Sequence, residues 1–433
     1  MNYVSKLFLL SLFAVAPNIA KGQDSTAVDY SYDISAFEKK PLEYSASIEA
    51  WPTLLSLNNQ SPLYRLKYHT GTAYADIYNC KLEGLARFQH RQFFANISGA
   101  LNVDYPRYED TLGTQLTLYE GYFKYTPFST LSIFTGKKTF RWGKGYAYNP
   151  VAFAGRPKDL NNIDATLEGY WSFSLDYTKS FDGALSSITA SSALLPVYKE
   201  LNSDFLPDRS LAAIAQIYCL LLNTDIDLST YFDDSRNYKI GADFSRNVFL
   251  NLEVHAEWAY ESNHDRMAFD DAANPVAESE SANNMVAGIR YQTPFDATLI
   301  LEYLYQGSGH SPGQMEVMYS ALQYAATGAS VETGHRVQQL YNAAYNLQFN
   351  ARNYIYSKFT YPDPFAQVYW TPSIYALVNC GDGSAMVGVE LTYSRFRHLL
   401  FTGRAISFMG RTASEYGIRP VNSRFELRAK AVF

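Results

Sequence analysis

The segment Ser423 to Phe433 reads SRFELRAKAVF and sorts its side chains by parity. Phe425, Leu427, Ala429, Ala431 and Phe433 fall on one face of an extended strand, and Arg424, Glu426, Arg428 and Lys430 on the other. Successive side chains in a strand point to opposite faces. One face here suits hydrocarbon and the other suits water. The pattern recurs. Leu252, Val254, Ala256, Trp258 and Tyr260 oppose Glu253, His255 and Glu257; Val387, Val389, Leu391 and Tyr393 oppose Gly388, Glu390 and Thr392. These runs exceed the five or six residues usual for a soluble strand.

The start of the chain fits an exported protein. Lys6 precedes an apolar run, Leu7 to Pro17, and Ala20-Lys21-Gly22 offers small residues for cleavage. The run is too short for a spanning helix, which needs about 20 residues. We expect residues 1–22 to be a signal peptide, 23–41 a polar periplasmic lead-in and 42–433 the folded body. No later segment reads as a spanning helix, and in lipid only helices and closed sheets satisfy every backbone polar group. The expected fold is therefore all-β: a transmembrane antiparallel β-barrel of about 18 strands, within a range of 16 to 20. The 36 Tyr and 27 Phe suit aromatic girdles at the two interfaces. A formal net charge of −6 argues against nucleic acid as a partner.

Turn chemistry supplies the strand count. Short turns are expected at 90–91, 126–129, 181–183, 222–224, 246–247, 294–296, 362–365 and 396–398. Three of them carry a Pro-Phe pair, and Pro presets a turn and cannot continue a central ladder. Longer connections are expected at 52–60, 104–114, 141–166, 197–208, 262–283, 307–334 and 410–420. Short turns on one rim and long loops on the other place both termini on the periplasmic side. The stretch 61–90 is long enough for an extra hairpin. Pro312 to Ala326 reads as a short helix, with Met315, Met318, Leu322 and Ala325 on one face.

A chain that closes on a strand ending in Phe433 resembles the bacterial outer-membrane β-barrels, in which the terminal aromatic acts as an insertion signal. A second resemblance lies in Gly136-Lys137-Lys138, Arg141-Trp142-Gly143-Lys144-Gly145, Asn149-Pro150 and Arg156-Pro157-Lys158-Asp159. It is similar to a loop motif of large porin-like barrels and, less closely, to barrels that help attach capsular polysaccharide. The resemblance implies a porin-like channel for passive or facilitated passage of a small solute. Its partners would be outer-membrane lipid, lipopolysaccharide and the barrel assembly machinery that reads Phe433. The alternative is a surface barrel that binds an exported polysaccharide or lipid within an envelope export system.

Arg141, Trp142, Lys144, Arg156 and Lys158 are the expected pore mouth or constriction. Trp142 suits a membrane interface. By parity Glu253, His255, Glu257, Arg290, Glu302, Glu390, Arg404, Arg424, Glu426, Arg428 and Lys430 face the lumen, and Glu253, His255 and Glu257 are expected to be solvated there. Glu253, His255 and Glu257 are spaced too widely for one metal ion without help from other strands, and no metal or cofactor is expected. Gly309-His310-Ser311-Pro312-Gly313 matches the G-x-S-x-G pattern of hydrolases. Its Pro and Gly content reads instead as a loop, and no enzymatic activity is expected.

Overall fold

The computed structural model describes residues 41–68, 71–160, 166–270, 274–327, 331–345 and 347–433. The expected signal peptide, and all of the lead-in but its last residue, lie outside these. Eighteen strands follow in chain order: β1 (Leu42–Leu57), β2 (Tyr74–His90), β3 (Phe93–Pro106), β4 (Gly113–Phe128), β5 (Leu131–Lys138), β6 (Tyr170–Ser180), β7 (Leu185–Val197), β8 (Ser210–Leu221), β9 (Thr224–Asp233), β10 (Tyr238–Phe249), β11 (Leu252–Phe269), β12 (Pro275–Gln292), β13 (Thr298–Gln306), β14 (Asn353–Thr360), β15 (Trp370–Asn379), β16 (Ala385–Phe396), β17 (Leu399–Met409) and β18 (Val421–Val432). Each pairs antiparallel with its sequence neighbours, and β1 pairs with β18, with Ile48 opposite Ala431 and Leu54 opposite Phe425. The sheet therefore closes and has no free edge.

The parity rule survives closure. Leu82, Ile97, Leu116, Leu228, Leu301, Ile374 and Val389 lie exposed on the outer wall, and Leu427 is 71 % exposed. So broad an apolar exterior is a lipid-facing surface rather than one made for water. Glu426, next to Leu427, is 2 % exposed and faces inward.

The turn reading holds for most connections and fails where its physical premise fails. β10 continues past Arg246–Asn247 to Phe249, through a register shift between Asn247 and Phe249, so the turn sits at 250–251. β1 runs through Pro52 to Leu57, so the loop expected at 52–60 starts later. The stretch 61–90 hides no hairpin: it holds helix α1 (Pro62–Lys67), capped by Ser61, and then β2. Most of 262–283 is not loop, because β11 and β12 continue to Phe269 and from Pro275. Beyond the bilayer neither face must be apolar, so that hairpin has no alternation to read.

The long loops gather at the rim opposite the start of β1 and the end of β18. Helices α2 (Pro312–Thr327) and α3 (Val331–Ala344) pack with Leu63 of α1, Phe269 and Ile418 in one apolar cluster. Met315, Met318, Leu322 and Ala325 are buried there, as their spacing requires. Ser311 caps α2. Its hydroxyl accepts from the Gln314 backbone N–H, and the Gln314 side chain accepts from the Ser311 N–H. This reciprocal box, with Pro312 entering the helix, accounts for the G-x-S-x-G match without chemistry.

Candidate functional site: the inward loop and the lumen wall

The connection between β5 and β6, described over residues 139–160 and 166–169, does not stay at the rim. It folds into the barrel, and two carboxylates of the wall hold its backbone. Glu257 on β11 accepts from the backbone N–H of Lys144, from that of Gly145 at 2.5 Å and from Asn149 Nδ2 at 2.9 Å. Glu302 on β13 accepts from Tyr146 N at 2.5 Å and Ala147 N at 2.8 Å, and His255 Nε2 lies 3.0 Å from it. Glu257 is 3 % exposed and Glu302 1 %. A buried carboxylate is tolerable only with several donors aimed at it, and successive loop amides supply them. The glycines make this approach possible. Gly143 has φ of 95°, and a Cβ there would come within 2.8 Å of the Glu257 carboxylate. A Cβ on Gly145 would meet the Tyr148 carbonyl at 2.1 Å.

Apolar packing finishes the attachment. Phe140, Val151, Phe153 and Ala154 of the loop lie with Tyr170, Leu195, Ile214 and Tyr231 of the wall. Ala147 lies with Val286, Leu304, Tyr354, Leu377 and Ile406. The lumen is therefore not uniformly wet. Glu257 and His255, expected to be solvated, are buried because the loop covers them.

The structure separates the five loop residues singled out in the sequence. Lys144 Nζ lies 2.7 Å from Asp227 on β9 and 3.8 Å from Asp243 on β10. Arg156 pairs with Glu168 at 3.2 Å and with Asp204, and sits over the Tyr170 ring. Lys158 donates to the Gly145 carbonyl. Trp142 is not at a membrane interface; it meets Phe140 edge-on inside the barrel, 5.9 Å between rings. Arg141 is exposed and has no hydrogen bond or ion pair among the described residues. Lys144, Arg156 and Lys158 thus hold the loop in place, and Arg141 is left exposed.

Closure also sets the lumen charges against one another. Asp225, Asp227, Asp243, Glu253, Glu257, Glu261 and Glu302 lie on β9 to β13, where Lys239 pairs with Glu261 and Arg290 with Glu253. Around the barrel, Arg404 on β17, Arg424, Arg428 and Lys430 on β18, Lys81 and Arg87 on β2, Lys124 on β4 and Lys138 on β5 form a cationic wall. Carboxylates there are mostly paired to it: Lys81 with Glu49 and Glu83, Arg428 with Glu49 and Glu426, Arg424 with Glu426, Lys430 with Glu83, and Glu390 with Arg404. Strands β9 to β13 and β18 to β4 lie on opposite sides of an 18-stranded ring. The inward loop lies against the acidic side and reaches Arg404, which donates to the Leu160 carbonyl. At its two ends the loop also meets β4, where Glu120 accepts from Thr139 and the Tyr119 carbonyl accepts from the Gly169 N–H. Parity identifies Glu253, Glu257, Arg290, Glu302, Glu390, Arg404, Arg424, Glu426, Arg428 and Lys430 as inward, and nothing in the sequence gives their position around the ring.

No protein-family model matches the chain, and no curated protein matches it. Solved structures do. Pseudomonas aeruginosa OccK5 (OpdH) aligns with a TM-score of 0.53 at 9 % identity, over 90 % of this chain and 98 % of that one. A BenF-like porin from Pseudomonas fluorescens Pf-5 aligns with 0.52 at 8 % identity, over 90 % and 98 %. Wzi of Escherichia coli, described as a carbohydrate-binding β-barrel outer-membrane protein involved in group 1 capsule assembly, aligns with 0.52 at 9 % identity, over 90 % and 84 %. At these identities the likeness is one of fold: this chain adopts the closed 18-stranded barrel architecture shared by such porins.

Proposed function

We propose that the protein is an outer-membrane channel for small hydrophilic solutes, anions preferred, running between the inward loop and the cationic wall of β17, β18 and β1 to β5. The observation that carries this reading is the loop's attachment to Glu257, Glu302 and Asp227. It withdraws Asp227, Asp243, Glu257 and Glu302 from solvent and leaves a passage bordered by Arg141, Arg424, Arg428 and Lys430. Fixed charge at a narrow place selects permeant ions by sign. The apolar exterior supports a bilayer setting, and the solved barrels of like fold support the outer membrane. The loop rim would face outside the cell, among lipopolysaccharide, with the termini periplasmic and Phe433 available to the assembly machinery. Covalent chemistry has no part in it, since Ser311 is engaged as a helix cap.

Single-channel recording and reversal potentials of the refolded barrel across a salt gradient test the reading. Wild type is expected to favour chloride over potassium, and Arg428→Glu with Lys430→Glu to lower that ratio severalfold. A barrel that conducts nothing, or whose selectivity ignores both substitutions, would refute it.

A further inference from the structure

At the loop rim lies a cleft of about 990 Å³ between the face of α2 that carries Glu316, Gln323 and Tyr324 and the segments around 351–353, 379–382 and 412–413. That is the upper end of the roughly 300–1,000 Å³ typical of small-ligand sites. One set of its polar residues is already engaged and gives it shape. Asp382 accepts from Tyr319 OH at 2.9 Å and from the Glu415 backbone N–H at 2.7 Å. Asn379 donates to the Glu415 carboxylate at 2.7 Å. Glu415, fully buried, also accepts from Asn350 and from Tyr354 OH. One carboxylate thus ties three loop segments together, and the walls are fixed before anything binds.

A second set is uncommitted. Glu316 and Gln323 are exposed on α2 with no side-chain partner among the described residues. The Tyr324 ring is 63 % exposed. Arg352 uses Nε on the Gly309 carbonyl at 3.1 Å, and no bond of its two terminal nitrogens is found among the described residues. His310 is 5 % exposed and stacks on Tyr345 with ring centres 4.0 Å apart. Its Nε2 lies 3.2 Å from the Ala344 carbonyl and must carry the hydrogen, so Nδ1 offers a lone pair. That Nδ1 is buried with no hydrogen-bond partner. Burial holds the ring neutral, its pKa pushed down to about 4.

This mixture discriminates between ligand classes. An anion would need donors alone and would be repelled by Glu316. A cation would need acceptors alone and would face Arg352. A hydrocarbon would leave every one of these groups unpaired, at a cost for each buried one. A sugar ring has hydroxyls that both donate and accept, and a face of C–H groups that lies flat on an aromatic ring. It satisfies a carboxylate, a guanidinium, an amide, a bare imidazole nitrogen and a tyrosine face together. We infer that this cleft is a glycan-binding site, with Tyr324 as the platform and Glu316, Gln323, Arg352 and His310 bonding hydroxyls. The inference goes beyond the channel reading, for a barrel that conducted nothing would still bind here.

The test uses the full barrel in detergent micelles on an array of neutral and acidic oligosaccharides, with purified lipopolysaccharide as a second arm. Wild type is expected to retain at least one glycan. Tyr324→Ala and Glu316→Ala, both at exposed positions, should each weaken it about tenfold or more, while Arg141→Ala in the lumen leaves it unchanged. Retention of free oligosaccharides assigns the cleft to solute capture. Retention of lipopolysaccharide alone, still sensitive to Tyr324→Ala, assigns it to the surface coat; either result upholds a glycan site. No retained glycan in either arm, or retention indifferent to Tyr324→Ala and Glu316→Ala, overturns it.

Discussion

Glu257→Ala isolates the force that keeps the inward loop in place. The substitution removes the acceptor of the Lys144 and Gly145 amides and of Asn149 Nδ2. Hydrogen bonds to a charged group contribute roughly 1.5–3 kcal/mol each, and the donors left behind are poorly placed to reach water. Three such bonds at the lower end amount to about 4.5 kcal/mol of attachment. At 1.4 kcal/mol per tenfold, the ratio of docked to undocked loop should fall by a factor on the order of 10³. Glu302 and the apolar packing still hold the rest of the loop, so undocking should be transient rather than complete. The readout is a single-channel record. We expect noisier open states, a larger mean conductance and a shift of the reversal potential towards cations as Asp227 and Asp243 become accessible. Glu253→Ala is the control, because it removes a neighbouring lumen carboxylate that pairs with Arg290 and holds no loop amide. If Glu257→Ala barrels keep their heat-modifiable mobility on gels yet match the control in conductance, noise and reversal potential, the loop does not depend on this carboxylate and the attachment argument is wrong.

Three further outcomes follow from the same geometry. Gly145→Ala puts a methyl 2.1 Å from the Tyr148 carbonyl, so the loop should become a trypsin substrate at Lys144 and Lys158 while the strands stay protected. Ser311→Ala removes a helix cap worth roughly 0.5–2 kcal/mol; amide exchange in α2 should quicken, with no change in esterase background. His310 is held at about 4, below the 6.5 of an exposed imidazole, by burial, with the nearby Arg266 adding to the depression. The unfolded chain therefore takes up the proton first. The His310 contribution is complete above about pH 6.5 and is lost as pH falls towards 4, by up to roughly 3 kcal/mol. Protection factors around α2 and α3, corrected for the intrinsic pH dependence of exchange, should fall between pH 7 and 5 in wild type, and a His310→Gln variant should lack that pH dependence.

Legibility in the sequence followed the strength of the physical constraint. Helix α2 was visible because Met315, Met318, Leu322 and Ala325 must share one face. Helix α3 was not singled out, although Val337, Leu340, Tyr341 and Ala344 carry the same spacing and are buried; the polar residues between them and Gly334 dilute the signal. The loop residues Arg141, Trp142, Lys144, Arg156 and Lys158 were recognisable as a group from their motif. That Lys144, Arg156 and Lys158 are occupied in holding the loop was not, because their partners Asp227, Asp243, Gly145, Glu168 and Asp204 come from several strands and loops.

The chain by itself determined that it forms a closed sheet of about eighteen strands, and which side chains face in and which face out. A period of two, set between hydrocarbon and water, allows only one assignment, and slipping by a residue would put every charge into lipid. The tertiary structure alone decided where around the ring each inward charge sits, and therefore which side the loop covers. Parity encodes inside against outside and carries no angle. Angle comes from closure, from β1 taking its register on β18, and that register brings Glu257 and Glu302 under the amides of a loop more than a hundred residues away.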